Sequence, residues 1–371
     1  MSERRPLRVL RLYHSAVVTA WRRREAALTA ENVDVTLVAP RRWNEGGAMV
    51  DLEVSSGEDI EAVATFGHHP FRFVSQPWAL WQVLRRHRDV DLLDVHEEPA
   101  ALVTIETMVL ARLAGCRAPV VCYSAQNLVK RYPPPFRWFE RWVLRRVAAV
   151  HTCNDDVAGV LATKGFDGEV VNIGLGVDET VFVPSAPDRT SGTGPLKVGY
   201  VGRFTEQKGI FVLVSALANL DRVETVFVGA GPEQTRLEDA IDAHGLGARV
   251  TVRGFVDHDD LPELYRGLDV LVVPSIDRPN VREQFGRVIV EAMACGTPVI
   301  ATDVGAFPVV AADAALIVPD RDAAALSEAI ERVRDDPKLR GELRDRGIRR
   351  AEDFSWTHIA SRQADLYRRV V

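Results

Sequence analysis

Four cysteines in 371 residues, Cys116, Cys122, Cys153 and Cys295, are too few and too scattered for a disulfide framework. No CxxC spacing or paired histidines accompany them, so they are expected as reduced, buried thiols of a cytoplasmic protein and not as zinc ligands. Long apolar runs are also missing, and no stretch approaches the roughly 18 uninterrupted residues that a membrane-spanning helix needs. Residues 1–6 lead straight into a short strand-like segment, so no secretory leader is expected. There is no excess of positive charge: the formal net charge is −6, which removes the general reason to expect nucleic acid as a partner. The first 183 residues are nearly balanced, and the remainder carries most of the acid excess. With 47% hydrophobic and 26% charged residues, the chain has an ordinary globular balance and the length of two domains.

Short apolar runs alternate with helical patterns. Residues 7–12, 33–39, 92–95, 120–123 and 148–152 read as strands in the first half, and 197–201, 225–228, 250–252, 270–273, 299–301 and 316–318 in the second. Their Val, Leu and Ile are continuous and do not alternate with polar residues, which suits parallel strands buried on both faces. Helical patterns at 212–220, 233–243, 261–267 and 323–334 lie between them. The alternation predicts an α/β fold of two Rossmann-like, doubly wound parallel-sheet domains. Residues 184–195, rich in Pro, Ser, Thr and Gly, read as the linker between a domain at 1–183 and another at 196–353. Ligands of such sheets sit outside the carboxyl ends of the strands, and two such domains are expected to face a cleft.

The most informative stretch runs from Glu283-Gln284-Phe285-Gly286-Arg287 to Glu291 and on to Gly296-Thr297-Pro298-Val299-Ile300. It reads as loop, helix, glycine stop and strand. Gly286 stands where the helix begins, so free backbone N–H groups there can face an anion. Glu283 and Glu291 flank that point, at most about 12 Å apart along a helix axis. That is close to the span from a hexose to the ribose of a nucleotide-sugar, with the diphosphate between. In isolation, two glutamates eight residues apart are more often an exposed helix face. Upstream, a strand ends in Gly202-Arg203-Phe204-Thr205-Glu206-Gln207-Lys208-Gly209, where Arg203 offers a bidentate fork for phosphate and Lys208 a mobile charge. Another strand ends in Gly229-Ala230-Gly231-Pro232, glycines that let backbone approach a ligand or that make a tight turn. Three such strand ends in one α/β domain point to a diphosphate site.

In this order the segments resemble the donor domain of retaining GT-B glycosyltransferases, glycosyltransferase family 4, also called glycosyl transferases group 1. The resemblance covers residues 196–336 and includes Ala294-Cys295-Gly296-Thr297-Pro298-Val299-Ile300-Ala301-Thr302-Asp303-Val304-Gly305. It implies that Arg203 and Lys208 neutralise the diphosphate, that Glu283 with the Phe285-Gly286 backbone binds the sugar, and that Glu291 binds the ribose. Arg287 and Val288, next along the helix, belong to the same donor-binding set, and Val256 of Gly254-Phe255-Val256 is the implied main-chain contact to the base. Gly229 and Gly231 complete it. The first half resembles the family less closely. There Asp91-Leu92-Leu93-Asp94-Val95-His96-Glu97 ends a strand in a histidine, and the family commonly has an active-site histidine at that point; His96 is the acceptor-side candidate. The tail at 354–371 resembles the family's terminal helix, which crosses back to the first domain.

Departures from the pattern are informative. The turn after the first strand reads Tyr13-His14-Ser15-Ala16 where the family has a glycine pair, and a Gly46-Gly47 pair follows the second strand instead. Val309 stands where the family has a glutamate, and Arg287 occupies a usually apolar position. The resemblance implies a hexosyl transfer that needs no cofactor or metal, in which a leaving phosphate oxygen takes the acceptor's proton on the face the donor leaves. Asp89-Val90-Asp91 has the shape of a metal-binding D-x-D but leads into a strand. Glycoside hydrolysis also uses paired carboxylates, yet has no use for phosphate-binding features. A sugar-nucleotide 2-epimerase of the same fold and a catalytically idle nucleotide-sugar-binding protein are the remaining alternatives. The bases of the first half gather with aromatics at 77–88 and 130–146; the latter holds Lys130, Arg131, Arg137, Arg141, Arg145 and Arg146 beside Trp138, Phe139 and Trp142. That composition fits either an interfacial helix on an anionic membrane surface or a packed helix with a solvated basic face.

Overall fold

A computed structural model describes residues 5–45, 48–184 and 194–371, so the Gly46-Gly47 pair and residues 185–193 of the expected linker lie outside the described residues. By their contacts the residues form two compact units, Met1–Gly174 with Trp356–Val371, and Leu175–Ser355.

The first unit is built on β1 (Leu7–Leu12), β2 (Val33–Pro40), the hairpin β3 (Arg42–Glu45) and β4 (Ala48–Asp51), β5 (Ile60–Val63), the short pair β6 (Thr65–Phe66) and β7 (Val74–Ser75), β8 (Leu92–Val95), β9 (Val120–Ser124), β10 (Ala149–Thr152) and β11 (Glu169–Asn172). Seven of these make one sheet in the order β11-β10-β9-β8-β1-β2-β5, with every pairing parallel. Helices α1 (Thr19–Ala30), α2 (Pro77–Arg86), α3 (Leu102–Leu113), α4 (Phe136–Leu144) and α5 (Asp156–Thr163) connect the strands. In the interior strands β8 and β10 every residue is buried, including the polar Asp94, His151 and Thr152 among the apolar ones. The edge strands β5 and β11 contain Glu61, Glu169 and Asn172 and are only partly buried.

The second unit contains β12 (Leu196–Val201), α6 (Ile210–Ala218), β13 (Val223–Val228), α7 (Gln234–Ala243), β14 (Val250–Arg253), α8 (Leu261–Arg266), β15 (Val270–Val273), α9 (Arg287–Ala294), β16 (Val299–Thr302), α10 (Phe307–Ala311), β17 (Ala315–Val318), α11 (Ala323–Asp335) and α12 (Pro337–Glu352). Its parallel sheet runs β14-β13-β12-β15-β16-β17. Local chemistry sets the helix ends: Asp322 caps α11 through the Ala325 N–H at 2.9 Å, and Asp336 caps α12 ahead of Pro337. The last helix, α13 (Trp356–Val370), belongs to the first unit, where Ile359, Ala364 and Tyr367 join Val9, Leu28 and Val33 in one apolar cluster.

The topology fixes where ligands can be met. In the first unit the chain moves from β1 outward to β2 and β5, then returns on the other side of β1 as β8. In the second it moves from β12 to β13 and β14, then returns beside β12 as β15. Each sheet therefore has a switch point, β1/β8 and β12/β15, where the loops leaving two neighbouring strands diverge and open a crevice at their carboxyl ends.

Candidate active site

At the β12/β15 switch point two loops are held against each other. Gly209 has φ +67° and lies so close to the chain after β15 that a Cβ there would stand 1.7 Å from the Pro274 carbonyl oxygen. Only glycine fits. The Ile276 N–H donates to the Gln207 carbonyl at 2.8 Å across the same seam. This contact brings Lys208 Nζ to 2.6 Å from Glu283 Oε1, and Ser275 Oγ donates to the same oxygen at 2.9 Å. Glu283 is buried while the lysine keeps part of its side chain in water. A third loop, after β16, clamps the Glu283 backbone: the Ala306 N–H donates to its carbonyl at 3.2 Å, and Gly305 lies too close for any side chain. Glu283 and Lys208, assigned from the sequence to sugar and diphosphate, thus meet each other. Gly286, in the left-handed conformation, is the N-cap residue of α9, whose first turn opens three residues beyond Glu283.

Around this pair the other expected residues occupy distinct environments. Arg203 is exposed, and its carbonyl is fixed by the Tyr200 hydroxyl at 2.8 Å. Phe285 is buried and meets Phe354 edge-on at 5.3 Å, so its side chain serves the core. Arg287 and Val288, the first residues of α9, are half-buried. Gly229 and Gly231 face protein backbone: a Cβ would stand 2.0 Å from the Gly202 carbonyl oxygen at the first and 2.3 Å from that of Phe204 at the second. They allow the turns after β12 and β13 to nest. Glu291 is buried within α9, where it accepts from the Tyr265 hydroxyl at 2.9 Å and lies 3.5 Å from His258 Nε2. Burial, and then the Glu291 charge, hold the Tyr265 phenol well above its ordinary range, so it stays a donor. Val256 is half-buried and lines a groove with Thr225 and Leu264, while its neighbour Phe255 is among the most exposed apolar side chains.

In the first unit the strand ends are filled differently. His96 is buried, stacked on Tyr123 at 4.3 Å and met edge-on by Tyr13 at 4.5 Å. Its Nδ1 is buried without a hydrogen-bond partner among the described residues. Burial, followed by the nearby Arg24 charge, pushes its pKa well below the ordinary histidine value, so the ring is neutral. Beneath it lies an ionic network. Arg11 Nε donates to Asp94 Oδ2 at 2.8 Å, Tyr367 of α13 donates to the same oxygen at 2.5 Å, and His151 Nε2 lies 3.4 Å from Oδ1. Ligand atoms of Asp94, His96 and His151 lie within 4.8 Å of one another, the spacing of a cation site. The chemistry does not fit one, because Arg11 already neutralises Asp94 and the Arg11 and Arg24 charges both oppose a positive charge on His96. Asp91, of the D-x-D, is likewise taken, by the Arg5 guanidinium at 2.6 and 2.8 Å.

The β1/β8 switch point itself carries a pair that neither residue's sequence context announces. His14, two residues beyond β1, and Glu97, two beyond β8, meet with Nδ1 at 2.6 and 2.7 Å from the two carboxylate oxygens, and the His14 backbone N–H donates to Glu97 Oε1 at 2.8 Å. They are 83 residues apart, so only the β1–β8 pairing juxtaposes them. The sequence reading also passed over Ser275, Tyr265 and His258. Ser275 lies two residues beyond β15, and its place at a strand's carboxyl end was the one signal available.

The basic stretch at 130–146 places Arg137, Trp138, Arg141, Arg145 and Arg146 on the exposed side of α4 and its flanks, with Trp138 59% exposed; Val143 and Leu144 are buried. On α2, Trp78 is 63% exposed and stacks on Trp81, against which Arg85 lies. Among the described residues no helix is long and apolar enough to cross a membrane.

Comparison with known proteins gives two family matches that together span most of the chain. Residues 186–351 match the glycosyl transferases group 1 model, and residues 15–176 match the glycosyl transferase 4-like domain. A 2-deoxystreptamine glucosyltransferase of Streptomyces kanamyceticus is 32% identical over 314 residues, covering 78% of this chain and 80% of that one. Among solved structures, a sucrose-phosphate synthase of Thermosynechococcus elongatus has a TM-score of 0.73 at 23% identity, over 99% of each chain. Anabaena HepE, determined in complex with UDP, has a TM-score of 0.73 at 19% identity over 97% of this chain and 99% of that one.

Proposed function

The chain belongs to the group 1 glycosyl transferases, enzymes of GT-B fold, and from that premise we propose that it moves a hexose-type sugar from a nucleoside-diphosphate sugar to a small hydroxyl-bearing acceptor, with retention at the anomeric carbon and without a metal ion. The observation that carries this reading is the Lys208–Glu283–Ser275 constellation at the β12/β15 switch point, beside the N-terminus of α9. Glu283 accepts from sugar hydroxyls. Lys208, Arg203 and the α9 N-terminus stabilise the negative charge that develops on the diphosphate as the glycosidic bond breaks. Glu291, held by Tyr265, accepts from the ribose, and Val256 meets the base through its main chain. A leaving phosphate oxygen takes the proton of the acceptor hydroxyl. HepE's complex with UDP supports the donor class, and the relative named for 2-deoxystreptamine supports a small cyclic polyol as acceptor.

The reading includes a cytoplasmic enzyme, supported by four free, buried cysteines. A peripheral contact with anionic membrane is supported by the exposed Trp138 among exposed arginines of α4. The decisive test is Glu283→Gln, assayed with UDP-, GDP- and ADP-sugars. Transfer is expected to fall at least about 10²-fold, while calorimetric affinity for the free nucleoside diphosphate stays within a factor of about three. An equal loss of both would assign Glu283 to the nucleotide. Chelator is expected to leave the rate unchanged, and a strict divalent-metal requirement would overturn the metal-free reading.

A further inference from the structure

The loop after β1 carries a histidine whose surroundings do more than pack it. Glu97 occupies Nδ1 with both carboxylate oxygens, at 2.6 and 2.7 Å. Trp43, itself 1% exposed, lies 4.6 Å from the imidazole, and Phe73 closes in at 5.8 Å, so the ring has one orientation. The His14 side chain keeps 18% of its surface exposed, and its Nε2 makes no hydrogen bond among the described residues. A second carboxylate stands close by: Glu45, at the end of β3, accepts from Ser15 Oγ at 3.2 Å and is only half-buried. Burial opposes a charge on His14, but Glu97 and then Glu45 outweigh it and raise its pKa. The imidazole is thus a fixed hydrogen-bonding group at the crevice of the first sheet, flanked by two carboxylates.

We propose that His14, Glu97 and Glu45 form a binding site in the first unit for an amine-bearing polyol ring, the acceptor of the transfer, in which His14 Nε2 hydrogen-bonds a ring hydroxyl and Glu45 accepts from an ammonium group. Three arguments carry it. The pair straddles the β1/β8 switch point, where parallel sheets take ligands. An imidazole nitrogen and a carboxylate, both pre-oriented by neighbours, match the hydroxyls of a polyol, since each hydroxyl can donate or accept, and pre-orientation lowers the entropic cost of binding. Two carboxylates around one imidazole leave a net negative charge whether or not the ring is protonated, which favours a cation and disfavours a phosphorylated ring. That the ring is an acceptor rests on the function proposed above; that it binds here does not.

The test uses 2-deoxystreptamine, myo-inositol and an inositol phosphate as cationic, neutral and anionic rings of one size. Calorimetry on the full chain at pH 7, with nucleoside diphosphate present, is expected to give binding of 2-deoxystreptamine at least tenfold tighter than of myo-inositol and none of the phosphate. His14→Asn and Glu45→Gln should each weaken it at least tenfold, with nucleoside-diphosphate affinity unchanged in both and the melting temperature unchanged in Glu45→Gln. In the wild type, the His14 imidazole resonances should shift on titration. No binding of 2-deoxystreptamine, equal affinity for all three rings, or unchanged affinity in both variants would overturn the proposal. Absence of nucleoside-diphosphate binding, with ring binding retained, would instead overturn the donor reading alone.

Discussion

The two sheets share a construction and differ in what tops it. At the β12/β15 switch point, close backbone contacts dominate: Gly209 against Pro274, Gly305 against Glu283, and Gly229 and Gly231 against the turn after β12. The loops nest without intervening side chains, and the Lys208–Glu283 ion pair sits at their seam with the lysine partly in water. At the β1/β8 switch point the space is filled by charge. Arg11, Asp94, His151 and His96 are all buried there, tied down by Tyr367 from α13. Topology decides where the crevice opens in each sheet, and the residues at the strand ends decide whether backbone or side-chain chemistry shapes it. A glycine-built end tolerates no added carbon. A charge-built end tolerates no missing partner.

Each half of that contrast can be broken separately. The largest effect is expected from Asp94→Ala, which leaves Arg11 buried without its main counterion, a change that costs about 3–5 kcal/mol; urea unfolding of the full chain measures it. Its pH dependence has a definite sign. Burial opposes the Asp94 charge, but Arg11 and His151 outweigh it and hold the carboxyl well below its ordinary value of 3.8. The group therefore stabilises the fold fully above that value, and the contribution is lost as the pH falls through its lower folded-state pKa. The variant should lack that acid-dependent loss. Gly209→Ala comes next, at about 2–3 kcal/mol, since it combines a left-handed backbone with a clash against Pro274. Hydrogen exchange should show the loss in β12 and β15 and leave β1 and β8 protected; a uniform loss would mean the two units unfold as one. Smallest in stability is the combined change of Arg137, Arg141 and Arg145 to Gln on and beside exposed α4. The melting temperature should stay within about 2 °C, while co-sedimentation with anionic vesicles falls and becomes insensitive to salt. Equal binding of the parent to neutral and anionic vesicles would remove the membrane contact.

Sequence reading served the second unit better than the first, for a physical reason. Backbone contacts demand glycine, and glycine at strand ends is visible in a string of letters, as are the two carboxylates on either side of the start of α9. The strands of both sheets were legible where both faces are buried: β15 is an unbroken apolar run, and β8 keeps Leu92, Leu93 and Val95 around its paired Asp94. The edge strands β5 and β11 escaped, since half-exposed positions admit Glu61, Glu169 and Asn172. His14 and Glu97 escaped for another reason: each is ordinary in its own stretch, and their meeting depends on the register that sets Leu12 beside Val95. The same holds for Ser275, which reaches Glu283 only because the chain after β15 bends back to it.

The place of Tyr367 has a consequence for how the protein is made. The second unit is one continuous segment, Leu175–Ser355, whereas the first closes its cluster of Val9, Leu28 and Val33 only when Ile359, Ala364 and Tyr367 arrive. On the ribosome the usual order is thereby reversed: the later-synthesised unit has its whole sequence first, and the earlier one waits for residues 356–370 with Arg11 and Asp94 lacking the Tyr367 hydroxyl. Until then the nascent first sheet exposes apolar surface, the kind that chaperones recognise.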